Sequence, residues 1–269
     1  MKRIRALLWI LIATTFAAGA QNPIPAWPTI PPEDLALKES PAGKNAPAII
    51  LDRRVESDDN TGVETHYERL KILTKEGTKY ADGQILYNEK RAEVLDARAR
   101  VTPPGGAPAE VPVELYDKVV AKARRLQVTM KVFTIPGAEP GAILEYRYTL
   151  RYKEKVPQVF ADSRGYIIDR AVSYPTFRWD VQQELFTRHA YFVLHPFKGV
   201  LPRWSGLVRP AHKVQFDTAG VLEVRDVPGY QEEEYSLPGD TQKEWVQFFY
   251  TLDVFGAESY WSSVSMTSN

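Results

Sequence analysis

The chain has 269 residues, no cysteine and four histidines, with 34 basic and 34 acidic side chains. The absence of cysteine excludes disulfides, thiol nucleophiles and thiolate metal sites. The balanced charge offers no electrostatic basis for binding nucleic acid, so we expect no nucleic-acid partner.

The first twenty residues have the layout of a secretory signal peptide. Lys2, Arg3 and Arg5 form a basic head, and an apolar stretch that is short for a bilayer span leads to small residues ending at Ala20. We predict that residues 1–20 are a signal peptide, with an uncleaved N-terminal anchor as the alternative. The body is then exported, periplasmic or extracellular, with no transmembrane span after signal removal.

Residues 21–45 are rich in proline and favour an extended linker or tail. The exception is the segment 32–35, where an early proline and two acidic residues favour one helical turn.

Residues 46–255 are dominated by alternation of apolar and polar side chains. The clearest strand is 142–152, whose inward side carries Tyr146, Tyr148 and Tyr152. Similar patterns predict strands near 95–101, 111–115, 128–132, 177–181, 191–195, 221–227 and 244–252, and the best helical candidate is 117–126.

This pattern predicts an all-β, sandwich-like fold of two packed, mostly antiparallel sheets with little helix. The β-rich domain over 46–255 is either one unit or two sub-lobes that meet near residues 156–176. Residues 256–269 form either the start of a truncated downstream element or a frayed tail.

No pattern in the chain concentrates catalytic or ligand-binding residues. Each group of candidate residues has a simpler structural explanation. The histidines fit an exposed sheet face, the charged clusters fit solvated surface, and the aromatic residues fit the core. The serine lacks a nucleophile elbow, and the glycines lack a phosphate-binding helix. The groups are His66, His189, His195 and His212; Glu232–Glu234, Asp162, Asp169 and Asp180; Lys118, Lys122, Arg124 and Arg125; Ser205; Gly105, Gly106, Gly137 and Gly141; and Trp179, Trp204, Trp245 and Trp261. We therefore predict no catalytic, cofactor-binding or metal-binding residue, no cofactor, and no enzymatic activity in this chain.

Several segments, in their order along the chain, resemble a known protein family. They are the segments 32–38, 46–51, 69–77, 79–82, 97–99, 133–136 and 140–148, which read PEDLALK, APAIIL, RLKILTKEG, KYAD, ARA, FTIP and PGAILEYRY. Together they resemble an exported bacterial domain of unknown function that lies N-terminal to transglutaminase-like domains. In such proteins the resemblance implies a β-rich, non-catalytic module, while the downstream domain carries a Cys-His-Asp type site that no position here matches.

Turn chemistry adds two local predictions. Residues 74–77 predict a turn in which Gly77 takes a positive φ, and the Pro136-Gly137 and Pro140-Gly141 pairs predict a tight connection into the Tyr146 strand.

The sequence therefore favours an exported, non-catalytic accessory or interaction module. Its expected partner is a protein or peptide, or a downstream transglutaminase-like domain in a longer parent. The alternative is an extracytoplasmic carbohydrate-binding or glycan-hydrolysing domain, which two facing carboxylates in a cleft would favour.

Overall fold

The computed structural model describes residues 26–89, 91–123, 126–153, 160–161, 167–168, 178–196, 203–208, 220–230 and 243–251. The predicted signal peptide, the acidic run Glu232–Glu234 and the segment 256–269 lie outside these residues. The structure divides into residues 1–31 and 32–269. Every helix and strand below belongs to the second part.

In the described residues, the elements follow the sequence as one short helix, fifteen strands and a 3₁₀ segment. They are α1 (Pro32–Ala36), β1 (Ala48–Asp58), β2 (Val63–Ile72), the 3₁₀ segment Lys75–Ala81, β3 (Asp82–Tyr87), β4 (Ala92–Thr102), β5 (Ala109–Val111), β6 (Tyr116–Ala123), β7 (Leu126–Thr134), β8 (Ile143–Tyr152), β9 (Phe160–Ala161), β10 (Ile167–Ile168), β11 (Arg178–Asp180), β12 (Thr187–His195), β13 (Arg203–Val208), β14 (Val221–Val227) and β15 (Trp245–Thr251).

A seven-stranded sheet in the order β14-β12-β1-β2-β8-β4-β5 forms the base of the fold. Its neighbours pair antiparallel except β1 and β12, which are parallel. Two three-stranded sheets, β3-β7-β6 and β11-β15-β13, and the pair β9-β10 complete the strands. The predicted all-β fold with mostly antiparallel pairing is confirmed.

Both three-stranded sheets pack on the same face of the large sheet, which we name the inner face. On one side, Leu70 and Leu144 of the large sheet share a buried core with Ile85 of β3 and Phe133 of β7. On the other side, Val55, Phe192 and Leu222 share a second core with Trp179 of β11 and Val246 of β15. The second layer of the sandwich is therefore split into two small sheets.

The tyrosine-rich strand β8 has the predicted inward face. Tyr146 and Tyr148 pack against the first core, and the Phe133 and Tyr146 rings meet edge to face with centroids 5.4 Å apart. Its opposite side, which we name the outer face of the sheet, is not uniformly exposed. Glu145 there has no accessible surface.

The helix predicted over 117–126 is wrong. Residues of this segment form β6, which pairs antiparallel with β7 from Tyr116↔Val132 to Ala123↔Leu126. Cross-strand pairing, including an ion pair of 2.8 Å between Lys131 Nζ and Asp117 Oδ1, overrides a weak local preference. The strand expected over 111–115 is confined to Ala109–Val111.

The reason given for Gly77 is also wrong. Gly77 lies in the 3₁₀ segment, and it is not among the glycines with positive φ. A Cβ there would stand 2.0 Å from the carbonyl oxygen of Pro47, so close backbone approach excludes a side chain. Gly137 and Gly141, by contrast, have φ of 83° and 92°, as their turns require.

Candidate functional site

A cleft of about 440 Å³ opens on the inner face of the large sheet. We name it the central cleft. Ile50, Glu68, Leu70 and Tyr146 of strands β1, β2 and β8 form its floor, one wall is Lys79, Tyr80 and Asp82–Gln84, and the other wall is Gln183–Leu185.

The floor carries a carboxylate because successive side chains of β2 alternate between the two faces of the sheet. Glu68 and Leu70, two residues apart, project from the same face of the strand, and the register places Glu68 between Arg53 of β1 and Tyr146 of β8. Arg53 Nε lies 3.7 Å from Glu68 Oε2, and each side chain is 16 % exposed.

Burial sets the electrostatics of this floor. Desolvation raises the pKa of the Glu68 carboxyl, while Arg53 and a hydrogen bond from Tyr146 oppose that rise. Desolvation and the Glu68 charge raise the pKa of Tyr146 well above its ordinary value. Tyr146 is therefore a neutral hydroxyl donor over the accessible pH range.

A bridge between the walls borders the cleft. The Tyr80 hydroxyl donates to Glu184 Oε1 at 2.7 Å, and Lys79 Nζ lies 3.3 Å from the same oxygen. The hydrogen bond from Tyr80 lowers the pKa of Glu184, so this carboxylate is charged at neutral pH. Tyr80 and Glu184 also line a second groove of about 810 Å³, together with Ala42–Ala48 and Tyr230.

The first wall includes an edge of a sheet, because β3 pairs only with β7 among the described strands. The amide of Ile135 donates to the carbonyl of Ala81, which makes the next residue pair, Asp82↔Thr134, a non-hydrogen-bonded pair. By the antiparallel alternation, the backbone groups of Asp82, Gln84 and Leu86 point away from β7. The Asp82 amide donates to the carbonyl oxygen of Lys79. The backbone amides and carbonyls of Gln84 and Leu86 therefore face the open edge.

A buried ion cluster lies on the outer face of the large sheet. Arg69 is bonded to Asp34 of α1 at 3.2 Å and to Glu145 at 3.0 Å, and Arg100 also binds Glu145. Lys71 Nζ donates to the carbonyl oxygens of Asp34 and Leu35. Since these groups satisfy one another and are buried, the cluster ties α1 to the sheet and leaves little for a ligand.

The described histidines pair with carboxylates. His66 Nε2 lies 2.6 Å from Glu64 Oε1, and His195 Nε2 lies 2.8 Å from Glu56 Oε1. His189 lies between two carboxylates, on the same outer face as His195, as parity predicts. Within the described part of the chain, no group of three or more histidine or carboxylate side chains could hold a metal ion. His212 lies outside it.

Some of the tryptophan and aspartate candidates lie in the core, some lie on the surface, and others lie outside the described residues. Trp179 is 4 % exposed and stacks on Phe192 with centroids 4.9 Å apart, which is a core position. The Arg178 guanidinium lies over the Trp245 ring and pairs with Asp180 at 2.7 Å. Lys118 is exposed on β6. The structure does not describe the side chains of Trp204, Ser205, Lys122, Arg124, Arg125, Asp162, Asp169, Glu232–Glu234 and Trp261.

Sequence reasoning identified Tyr146 as an inward residue but missed Glu68, Tyr80 and Glu184. The period-two signal of β2 was present, since Glu68, Leu70 and Ile72 share one face. Charged residues on both faces of β2 hid that signal. Tyr80 and Glu184 are 104 residues apart, and only the fold brings them together.

Within the residues that the structure describes, no helix combines the length and the apolar character needed to cross a membrane.

Comparison with solved structures supports the fold. A protein of Parabacteroides distasonis described as a "putative protease" aligns with a TM-score of 0.53 and 13 % identity, covering 75 % of this chain and 40 % of that one. Leukotriene A4 hydrolase of Saccharomyces cerevisiae aligns with a TM-score of 0.28 and 9 % identity, covering 75 % of this chain and 29 % of that one, too distant to support any argument. This chain thus spans less than half the length of either protein.

Comparison with curated protein sequences finds no match. The model of a family described as "Domain of Unknown Function with solved-structure structure" (DUF3857) matches residues 58–204. That range begins at the end of β1, includes the Glu68 and Tyr146 floor, and covers more than half of the chain. This protein therefore belongs to the DUF3857 family.

Proposed function

We propose that this protein is an exported, non-catalytic accessory module that binds a protein partner. In a longer parent, the partner is a downstream transglutaminase-like domain or the protein substrate of that domain. The observation that carries this proposal is the central cleft, an open site with hydrogen-bonding and charged groups beside a sheet edge. Such an edge is a common template for protein association.

Two further observations support a binding role. Among the described residues, the acidic and basic side chains with the least exposed surface are Asp34, Arg69 and Glu145, and both carboxylates pair with Arg69 on the outer face. The aligned part of the Parabacteroides distasonis protein is 40 % of its chain, so a comparable fold occurs there within a longer protein.

Export is tested with a reporter fusion. We expect residues 1–40 fused to an alkaline phosphatase that is active only after export to yield periplasmic activity. Ile10→Arg places a charge in the apolar stretch and should abolish it. Retention of the wild-type fusion in the cytoplasm would remove export from the proposal.

Partner binding is tested by site-specific photo-cross-linking in cells. A photoreactive residue replaces Gln84 at the cleft, Tyr116 on β6, or Arg225 on the outer face, one position at a time. We expect one predominant protein adduct, identified by mass spectrometry, from some of these positions and not from others. An absence of adducts from all three, or peptide or glycan hydrolysis by the purified protein that Glu68→Gln abolishes, would contradict the accessory role.

A further inference from the structure

We propose that the central cleft binds an extended segment of the partner protein, which pairs with the edge of β3 and places a lysine or arginine side chain beside Glu68 and Glu184. This inference rests on the proposed function, and it adds the binding surface and the chemistry of the partner.

The backbone of β3 supplies the pairing groups. The outward-facing amides and carbonyls of Gln84 and Leu86 have no hydrogen-bond partner among the described residues. They are spaced as every second residue of a strand, which is the spacing that an added antiparallel or parallel strand requires. The Gln84 side chain is exposed, and Leu86 is 60 % exposed beside it.

β3 lacks the features that protect two other edge strands, β14 and β6. β14 carries exposed Glu223 and Arg225 and a backbone irregularity at Asp226, whose φ is 55°. β6 carries exposed Lys118 and a register shift between Val119 and Ala121. Charges and bulges of this kind prevent strand addition.

The segment 83–87 of β3 reads GQILY, without a charge or a proline, and the register of β3 with β7 is unbroken. An unprotected edge of this kind favours the addition of another strand. Its position beside the cleft therefore indicates a binding function.

The charge of the cleft selects a basic side chain. Its lining includes three acidic residues, Glu68, Asp82 and Glu184, and one basic residue, Lys79. The Glu68 side chain is 16 % exposed on the floor, whereas Lys79 is 62 % exposed on the rim and can give up its contact with Glu184. An entering ammonium or guanidinium group gains two carboxylates in a partly desolvated site.

The rest of the lining suits the stem of such a side chain. Ile50 and Leu70 supply apolar floor, and the Tyr80 and Tyr146 rings flank it. Long aliphatic stems of lysine and arginine pack on surfaces of this type while the charged head reaches the carboxylates. A glutamate at the same position would instead meet three acidic residues.

The experiment uses three seven-residue peptides of alternating threonine and valine, acetylated and amidated, with lysine, alanine or glutamate at the centre. Fluorescence anisotropy with the purified protein measures each Kd, and amide hydrogen exchange reports on the edge. We expect the lysine peptide to bind at least about tenfold more tightly than the glutamate peptide. The amides of Gln84 and Leu86 should become protected when the lysine peptide binds.

Matched variants separate the two parts of the site. Gln84→Pro removes an amide that points away from β7, so the β3–β7 ladder is retained while binding of all three peptides should fall about tenfold. Glu68→Gln and Glu184→Gln should leave the alanine peptide unchanged and reduce the preference for lysine over glutamate. Glu223→Gln, an exposed carboxylate on β14, is the control and should change neither.

Equal affinity for the lysine and glutamate peptides, or unchanged exchange at Gln84 and Leu86, would overturn the inference. These results are distinct from failure of the proposed function. A partner that cross-links from Tyr116 or Arg225 but not from Gln84 supports the accessory role and places the interface elsewhere.

Discussion

At the scale of single residues, Glu68 combines burial with a position facing the cleft. Its neighbours across the sheet are Arg53 and Tyr146, and His66 also contributes to its electrostatics. Burial opposes ionisation more than these partners favour it, and the pKa of Glu68 is therefore raised from 4.5.

This raised pKa makes a pH-dependent prediction. A carboxyl with a raised pKa in the folded state contributes stability that is complete below about pH 4.5, and that is lost as pH rises through the folded pKa. Glu68→Gln removes this titration. Relative to the variant, the wild-type free energy of unfolding should therefore fall as pH rises from 4 to 7, measured by urea denaturation.

Arg53 remains charged over this range, and its attraction for the Glu68 carboxylate is already contained in the pKa of Glu68. Glu93→Gln is the matched control, since Glu93 is 45 % exposed and pairs loosely with Arg151 at 3.8 Å. A difference between wild type and Glu68→Gln that is constant with pH would disprove the raised pKa.

At the scale of elements, ion pairs with side chains of the large sheet hold the five-residue helix α1 in place. A helix of this length is not stable by itself. Asp34 is 1 % exposed and binds Arg69, and Arg188 of β12 also contacts Asp34. Glu145 of β8 provides the second counter-charge for Arg69. The buried ion cluster therefore links α1 to strands that are distant in sequence.

Glu145→Gln tests this cluster. Removing one charge leaves Arg69 and Arg100 with too little counter-charge in a buried site, so we expect a loss of about 3–5 kcal/mol in the free energy of unfolding. Chemical denaturation measures it, and Glu93→Gln, an exposed carboxylate on neighbouring β4, should change stability by less than about 0.5 kcal/mol. A similarly small effect at Glu145 would show that the cluster is not structural.

At the scale of the whole molecule, the buried cores of the fold form on the inner face of the seven-stranded sheet. Two separate cores form there under the two small sheets. β2 and β8 also place polar and aromatic residues on this face, among them the register pairs Glu68↔Tyr146 and His66↔Tyr148. Tyr148 belongs to this region, stacked on His66 with centroids 4.5 Å apart.

Tyr148→Asp should unfold the domain. The change removes a packed ring and adds a carboxylate near Glu64 and Glu68, whose charges already act on Tyr148. We expect a loss of more than about 3 kcal/mol, seen as a lower Tm in thermal denaturation by circular dichroism. Tyr148→Phe keeps the ring and should melt close to wild type. An unchanged Tm for Tyr148→Asp would mean that this side of β8 does not face a core.

Much of the strand content follows from local sequence. The alternation in residues 142–152 predicted β8 and its inward tyrosines, and the Pro-Gly pairs at 136–137 and 140–141 predicted the tight connection that precedes it. The segment 117–126 failed because its weak helical pattern could not reveal that β7 would pair with it. β1 and β2 were missed because charged residues on both sheet faces obscure a period of two, and β3 is only six residues long.

The sequence by itself determined an all-β fold, because alternation of side chains is a local property of an extended chain. It also determined the exclusion of thiol chemistry, because no cysteine is present. Only the tertiary structure decided that the second layer is split and that the edge of β3 stands beside Glu68. It also decided that Tyr80 meets Glu184. These arrangements depend on register and packing between segments far apart in the chain, and no local pattern encodes such contacts.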